Sequence, residues 1–303
     1  MRFVRESMYK FIKDPGDIRI GEVVKRSWVS GDVGILGIPW DGGAVGTRPG
    51  SRLAPARVRS WLYSSPYTFS NVSIVDLGDV DVVVGDHNET WRRVEETVNE
   101  ALGGLVRELI VIGGDSTSSY AAFRGLRKAV NGRLAYVLLD AHPDVRVITE
   151  GGLTSGQVIR WIRGGVDSNA YITIIGVRPP HSNAPYLFDE ARKLGVTIYT
   201  IDQVDSMGIN AVVNEVVNNI GDRVAHLSIN LDVVDPAFAP GVNSPSPGGF
   251  MSREVIRLVR ELSVRLRPRV FDVVEVTPPF DVNDVTSMLA SAIIVNAIWV
   301  GKT

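Results

Sequence analysis

The sequence predicts an α/β fold, a three-layer sandwich with an eight-stranded parallel sheet between two layers of helices. Three observations carry this expectation. Short β-branched runs alternate with helix-length segments from end to end, the pattern expected of βαβ units and a parallel sheet. The intervening segments place apolar residues at helical spacing and so can cover both sheet faces. Two loops rich in glycine and proline, 39–55 and 235–249, lie beyond strand ends, where an open α/β sheet keeps its ligand crevice. At 303 residues the chain can bury a large core and is read as a single domain spanning 1–303.

The expected strands are 33–38, 72–76, 109–112, 134–139, 171–177, 196–201, 224–231 and 270–276. Between them, 90–106, 118–130 and 252–266 read as amphipathic helices. The arginine-rich stretch within 253–269 is a surface helix with solvated charges and an apolar face of Val255, Ile256, Val259, Leu262 and Leu266. The longest apolar stretch, 288–300, contains Ser291 and Asn296 and is too short to span a bilayer. It reads as a buried terminal helix. No internal repeat interrupts this order.

Composition narrows the chemistry. Hydrophobic content of 45% and charged content of 22% exclude a disordered or collagen-like chain. A net charge of -2 argues against a nucleic-acid partner, which would call for a strong basic surplus. With no cysteine, thiol catalysis and zinc-thiolate sites are removed, leaving His, Asp and Glu as metal ligands. The same absence suits a cytoplasmic protein. The first 12 residues mix Arg2, Arg5, Glu6 and Lys10 into their apolar positions, so no signal-peptide core is present.

The run Asp140-Ala141-His142-Pro143-Asp144 directly follows the apolar stretch 134–139, and Asn230-Leu231-Asp232 ends the stretch 224–231. Period-two alternation is expected to aim Asp140 with His142, and Asn230 with Asp232. Three carboxylates and one imidazole, Asp140, His142, Asp144 and Asp232, suit manganese or magnesium better than zinc. The alternative is a hydrogen-bonded turn that caps the next helix. Asn230 is a neutral amide where a second carboxylate is expected.

Glu275 ends the last strand ahead of Thr277-Pro278-Pro279 and is placed either to hold a cationic substrate or to form a structural ion pair with an arginine. Gly113-Gly114-Asp115-Ser116 ends a strand and opens a helix, with Ser116 as its expected cap and free N–H groups for an anion. Neither it nor the glycine-rich segment 41–50 has the lysine or spacing of a nucleotide loop. His87, His181 and His226 read as structural histidines.

Together these motifs resemble the ureohydrolase family, which contains arginase, agmatinase and related amidino hydrolases, with agmatinase the nearest in flavour. The resemblance rests on Gly37-Ile38-Pro39-Trp40-Asp41-Gly42, Arg48-Pro49-Gly50, Gly113-Gly114-Asp115, the run from Asp140 to Asp144, the loop from Asp232 to Gly241 with Pro247-Gly248-Gly249, and Val274-Glu275-Val276-Thr277-Pro278-Pro279. It covers nearly the whole chain. It implies a trimer or hexamer in which two manganese ions share a hydroxide that attacks a guanidinium carbon, while a histidine shuttles protons.

The chain departs from that pattern at three positions. Ser116 stands where a histidine ligates one manganese, Asn230 where a carboxylate bridges both ions, and Ser155, in Gly152-Leu153-Thr154-Ser155-Gly156, where the shuttling histidine is found. By this resemblance the first ion keeps only Asp140 and Asp144 and is expected to be lost. The second keeps Asp140, His142 and Asp232, so one manganese ion at most, or none, is expected.

Two functions follow. One is agmatinase-like hydrolysis of a small guanidino or amidino compound at a depleted site, with Asp144 and Glu275 in the catalytic roles. The other is a catalytically inactive homologue that binds a ligand, or acts as the structural partner of an active paralogue in a hetero-oligomer. No membrane partner is expected.

Overall fold

The computed structural model describes residues 14–298 apart from 47, 70, 149–151, 180 and 181. The readings made for the first 12 residues, for His181 and for the end of the terminal apolar stretch lie outside the described residues. The strands are β1 (Lys25–Arg26), β2 (Gly31–Gly37), β3 (Ile74–Asp79), β4 (Val106–Ile112), β5 (Leu134–Leu139), β6 (Tyr171–Val177), β7 (Thr197–Thr200), β8 (Val224–Asn230) and β9 (Val270–Val274). They form one sheet in the order β1-β3-β2-β4-β9-β8-β5-β6-β7, with every neighbouring pair parallel.

The sheet has nine strands where eight were expected. The additional strand, β1, is two exposed residues paired to β3 at the sheet edge. Two residues are too few to leave a periodic signal. The last strand stops at Val274, two residues early, because Glu275 adopts φ 66°, which no extended strand accommodates.

The helices are α1 (Ile20–Val23), α2 (Ala54–Ser64), α3 (His87–Glu100), α4 (Thr117–Ala129), α5 (Val158–Trp161), α6 (Tyr186–Lys193), α7 (Ile201–Met207), α8 (Ile209–Ile220), α9 (Ser252–Leu266) and α10 (Val285–Ala297). The helix expected over 90–106 begins earlier, where the Asp86 side chain accepts from the Glu89 N–H at 2.9 Å. It ends in a wide turn, Ala101–Leu105, in which Gly104 takes φ 153°.

Period two in the strands divides the core between the helical layers. In β5, Ala135, Val137 and Leu139 pack in the core shared with α2, α8, α9 and α10, while Leu134, Tyr136 and Leu138 pack in the core shared with α3, α4, α5 and α6. A strand covered on both faces has no polar side to show, which is why β5 is apolar at all six positions. The register then determines what meets at the sheet's carboxyl edge. Leu139 pairs with Ile229 and Asn230 with Val274. Asp140, Asn230 and Glu275 therefore emerge side by side from β5, β8 and β9, with Gly113 to Ser116 following β4 on the far side.

Candidate metal centre

Four adjacent central strands deliver the site, each through the turn that follows it. Beyond β4, the chain passes so close to Trp40 that a Cβ on Gly114 would lie 1.6 Å from the Trp40 carbonyl oxygen. Only glycine allows that approach. It positions Asp115, whose carboxylate accepts from Gly43 N–H at 2.7 Å and from Thr117 N–H at 2.9 Å. Burial nonetheless lifts the Asp115 pKa to about 6, against the lowering effect of those hydrogen bonds.

Ser116 does not cap α4 with its side chain as expected. Its N–H and Oγ both donate to Glu275 Oε1, at 2.8 and 3.0 Å. The anion at the start of α4 is thus a carboxylate of this same chain, in favourable alignment with the helix dipole. Glu275 has no arginine partner among the described residues, and its Oε2 has no hydrogen bond. Burial first, and Asp115 next, push its pKa up to about 8 despite the two donors of Ser116.

Asp140, His142 and Asp232 converge. One donor atom from each lies within 4.8 Å of the others. The His142 Nδ1 stands 3.3 Å from Asp140 Oδ1 and 3.5 Å from Asp232 Oδ2. Strand alternation does not achieve this, contrary to expectation. β5 and β8 end at Leu139 and Asn230, and a short helical turn, Leu231–Val233, carries Asp232 to the site. That turn is closed by Asn230 itself, whose Oδ1 accepts from Asp232 N–H at 2.9 Å.

The same bond orients the Asn230 amide, since the atom that accepts a backbone N–H is the oxygen. Its Nδ2 then donates to Asp140 Oδ2 at 2.8 Å and faces Ser116 Oγ at 3.5 Å. A carboxylate at position 230 would set two anionic oxygens against each other there, a contact that requires a cation between them. The amide replaces that cation with a hydrogen bond.

Asp144 is buried at φ 50°, a left-handed conformation that, glycine aside, asparagine and aspartate adopt more readily than most residues. It lines the same small chamber but does not belong to the group of three converging donors. Burial, then Asp140, Glu275 and Asp232, raise its pKa well above the ordinary carboxylate value. Burial, then Glu275 and Asp140, do the same for Asp232. Asp144 Oδ2, Asp232 Oδ1 and Glu275 Oε2 all lack hydrogen-bond partners among the described residues. Buried carboxylates left in this condition are the donor set for a hard cation, and Asp140, His142 and Asp232 are the residues whose geometry fits one.

The chamber holds about 70 Å³ and is lined by Ser116, His142, Asp144, Arg146, Ser155, Asn230, Asp232 and Glu275 among others. Ser155 is among these lining residues, with its N–H donating to Gly43 O at 2.8 Å. A larger cleft of about 580 Å³ at the β1–β3 edge has Arg59 paired with Asp76 and Asp79, and Arg26 lying over the Tyr63 ring. His226 is buried within β8 and hydrogen-bonded to Asp272, the surroundings of a structural histidine.

Sequence reasoning missed Arg178, which follows β6 and is fully buried. Its guanidinium donates to the carbonyls of Gly176 (2.6 Å), Asp232 (3.0 Å), Val233 (2.7 Å) and Ser246 (3.3 Å). It thereby clamps the turn that carries Asp232. No local pattern marks such a residue, because its partners lie up to 68 positions away. Arg178→Met keeps the volume but takes the guanidinium donors from four carbonyls, of which Val233 O keeps the Phe250 N–H, and is expected to cost about 3–5 kcal/mol. Chemical denaturation checks this; a loss below about 1 kcal/mol would contradict the clamp.

The family model described as "Arginase family" matches residues 31–299. The chain belongs to the arginase family. Among its relatives, proclavaminate amidinohydrolase of Streptomyces clavuligerus is 36% identical over 277 residues, covering 86% of this chain and 85% of that protein. Formimidoylglutamase of Halalkalibacterium halodurans is 29% identical over 274 residues, covering 87% and 85%. The crystal structure of formimidoylglutamase from Bacillus subtilis shares the fold, with a TM-score of 0.88 at 24% identity over 98% of this chain and 95% of that one.

Proposed function

We propose that this protein hydrolyses the C–N bond of a small guanidino or amidino compound, using one divalent cation held by Asp140, His142 and Asp232. The observation that carries the proposal is the Asn230–Asp140 hydrogen bond at 2.8 Å. It supplies internally the positive partner that a second ion would supply, while Asp232 Oδ1 still lacks one. Manganese is the cation we assign, in keeping with the oxygen-rich donor set. Assembly as a homo-oligomer and a cytoplasmic location belong to the same proposal. No helix among the described residues is long and apolar enough to cross a membrane.

A cation bound at these three residues would lower the pKa of a water molecule and so provide a nucleophile at neutral pH. The remaining work falls to the chain. Glu275, buried and with Oε2 unpartnered, accepts an N–H of the amidino group and holds its carbon in the chamber. Ser116 fixes Glu275 Oε1 through two donors, leaving Oε2 as the oxygen available to substrate. Asp144, with its raised pKa, is suited to take a proton from the attacking water and return it to the leaving nitrogen. Ser155, a hydroxyl in place of an imidazole, offers a hydrogen bond but no proton storage near neutral pH.

The experiment is metal content per chain after manganese loading and dialysis, paired with release of urea or formamide from guanidino and formimidoyl compounds. One ion per chain with metal-dependent turnover is expected. Two tightly held ions would contradict the proposal. No ion and no turnover would favour instead the inactive homologue that partners an active paralogue.

A further inference from the structure

Charge in this site is sharply divided by depth. The floor of the chamber is acidic, with Asp144, Asp232 and Glu275 facing inward. A wider vestibule of about 410 Å³ shares His142 and Ser244 with it and is further lined by Gly46, Arg48, Ser182, Asn243, Pro245 and Ser246. Among the described residues lining either space, the charged side chains above the floor are Arg48 and Arg146. No carboxylate stands with them.

Both arginines are built into place. The Arg146 backbone N–H donates to Gly156 O at 2.9 Å, and its side-chain stem lies across the same glycine, so a Cβ on Gly156 would be 2.9 Å from Arg146 Cδ. Gly156 leaves the room the stem occupies. The Arg146 guanidinium itself donates no hydrogen bond to any described residue and is exposed. Arg48 donates to Pro240 O at 2.9 Å and lies over the Phe280 ring at 5.6 Å, which directs one side of its guanidinium and leaves donors over.

We propose that the substrate carries a carboxylate at the end remote from its amidino carbon, and that Arg146 selects it, with Arg48 as the second cation of the rim. The inference rests on the amidino-hydrolase reading of the floor. A planar guanidinium matches a carboxylate with two parallel N–H donors. A compound cationic at both ends, such as agmatine, meets an acidic floor with one end and two guanidinium groups with the other. The rim therefore works by attraction and repulsion together, which is how discrimination between substrates of equal length is obtained.

The test measures binding to the manganese-loaded protein by calorimetry, using a series of ω-guanidino acids and N-formimidoyl amino acids of increasing length against agmatine. The best acid is expected to bind at least about tenfold tighter than agmatine, the effect of one charge-assisted contact. Arg146→Met should remove most of that preference, Arg146→Glu should reverse it, and Arg146→Lys should restore part of it. Arg146 is exposed, so these variants keep the fold. Where turnover is measurable, the loss should appear in KM more than in kcat. Equal or tighter binding of agmatine, no binding by any acid, or a preference unchanged in Arg146→Met would each overturn the proposal. Selective binding of an acid without any hydrolysis would uphold this inference and defeat the hydrolase reading instead, so the two failures are distinguishable.

Discussion

The double variant Ser116→His, Asn230→Asp is expected to hold a second manganese ion and to raise turnover by more than about 100-fold, since ligand-shell changes of even the outer kind alter affinity or activity by about tenfold to a hundredfold. Each substitution has a defined role. Asn230→Asp removes the Nδ2 donor that now satisfies Asp140 Oδ2 at 2.8 Å and restores an anionic bridge. Ser116→His releases Glu275 Oε1 from the Ser116 hydroxyl, 3.0 Å away, and adds an imidazole on the side where Asp144 Oδ2 waits without a partner. Neither change should suffice alone. A carboxylate at position 230 without a cation lies against Asp140 with no positive partner, and the single variant Asn230→Asp is expected to be less stable than wild type. Metal analysis of the three variants checks this, and a double variant still binding one ion would show that the position of Asp144 at φ 50° does not allow a second.

Stability of the cation-stripped protein is expected to fall as pH rises from about 4.5 to about 8. The sign follows from the direction of the shifts. Burial and the neighbouring carboxylates push Glu275 up to about 8 and hold Asp144 and Asp232 well above the ordinary value. In the unfolded chain these groups lose their protons near pH 4, whereas the folded chain keeps them to higher pH. The native state then holds more protons, and the free energy of unfolding declines with pH across that window. A bound divalent cation takes over the protons' role, so manganese should flatten the slope and raise the melting temperature most at pH 8. Melting curves with chelator and with manganese, from pH 4.5 to 8.5, would show it. A melting temperature that rises with pH in chelator would contradict the assignment of these carboxylates as a cation site.

Both expectations depend on features that differ in how legible they were from sequence. Asp140, His142, Asp144, Asn230, Asp232 and Glu275 all stand just beyond apolar runs, and in a parallel sheet every such end lies on one edge. Their gathering was therefore readable from position alone. The substitutions at Ser116 and Asn230 were readable too, but only as losses. That Ser116 and Glu275 bond to each other, and that Asn230 donates to Asp140, depends on contacts across 159 and 90 positions.

By itself, the sequence determined the α/β class, eight of the nine strands, the long helices, the edge of the sheet that bears the site and the family. These follow from local periodicity and from the chirality of parallel connections, which leave few alternatives. Tertiary structure alone decided the rest. It separated Asp144 from the three converging donors, recruited the buried Arg178 to hold the Asp232 turn, and left Arg146 and Arg48 lining two adjoining spaces that share His142 and Ser244. The physical reason is the same in each case. A side chain's charge state and partner are set by what the fold brings within a few ångströms of it, and residues distant in sequence carry no local mark of that meeting.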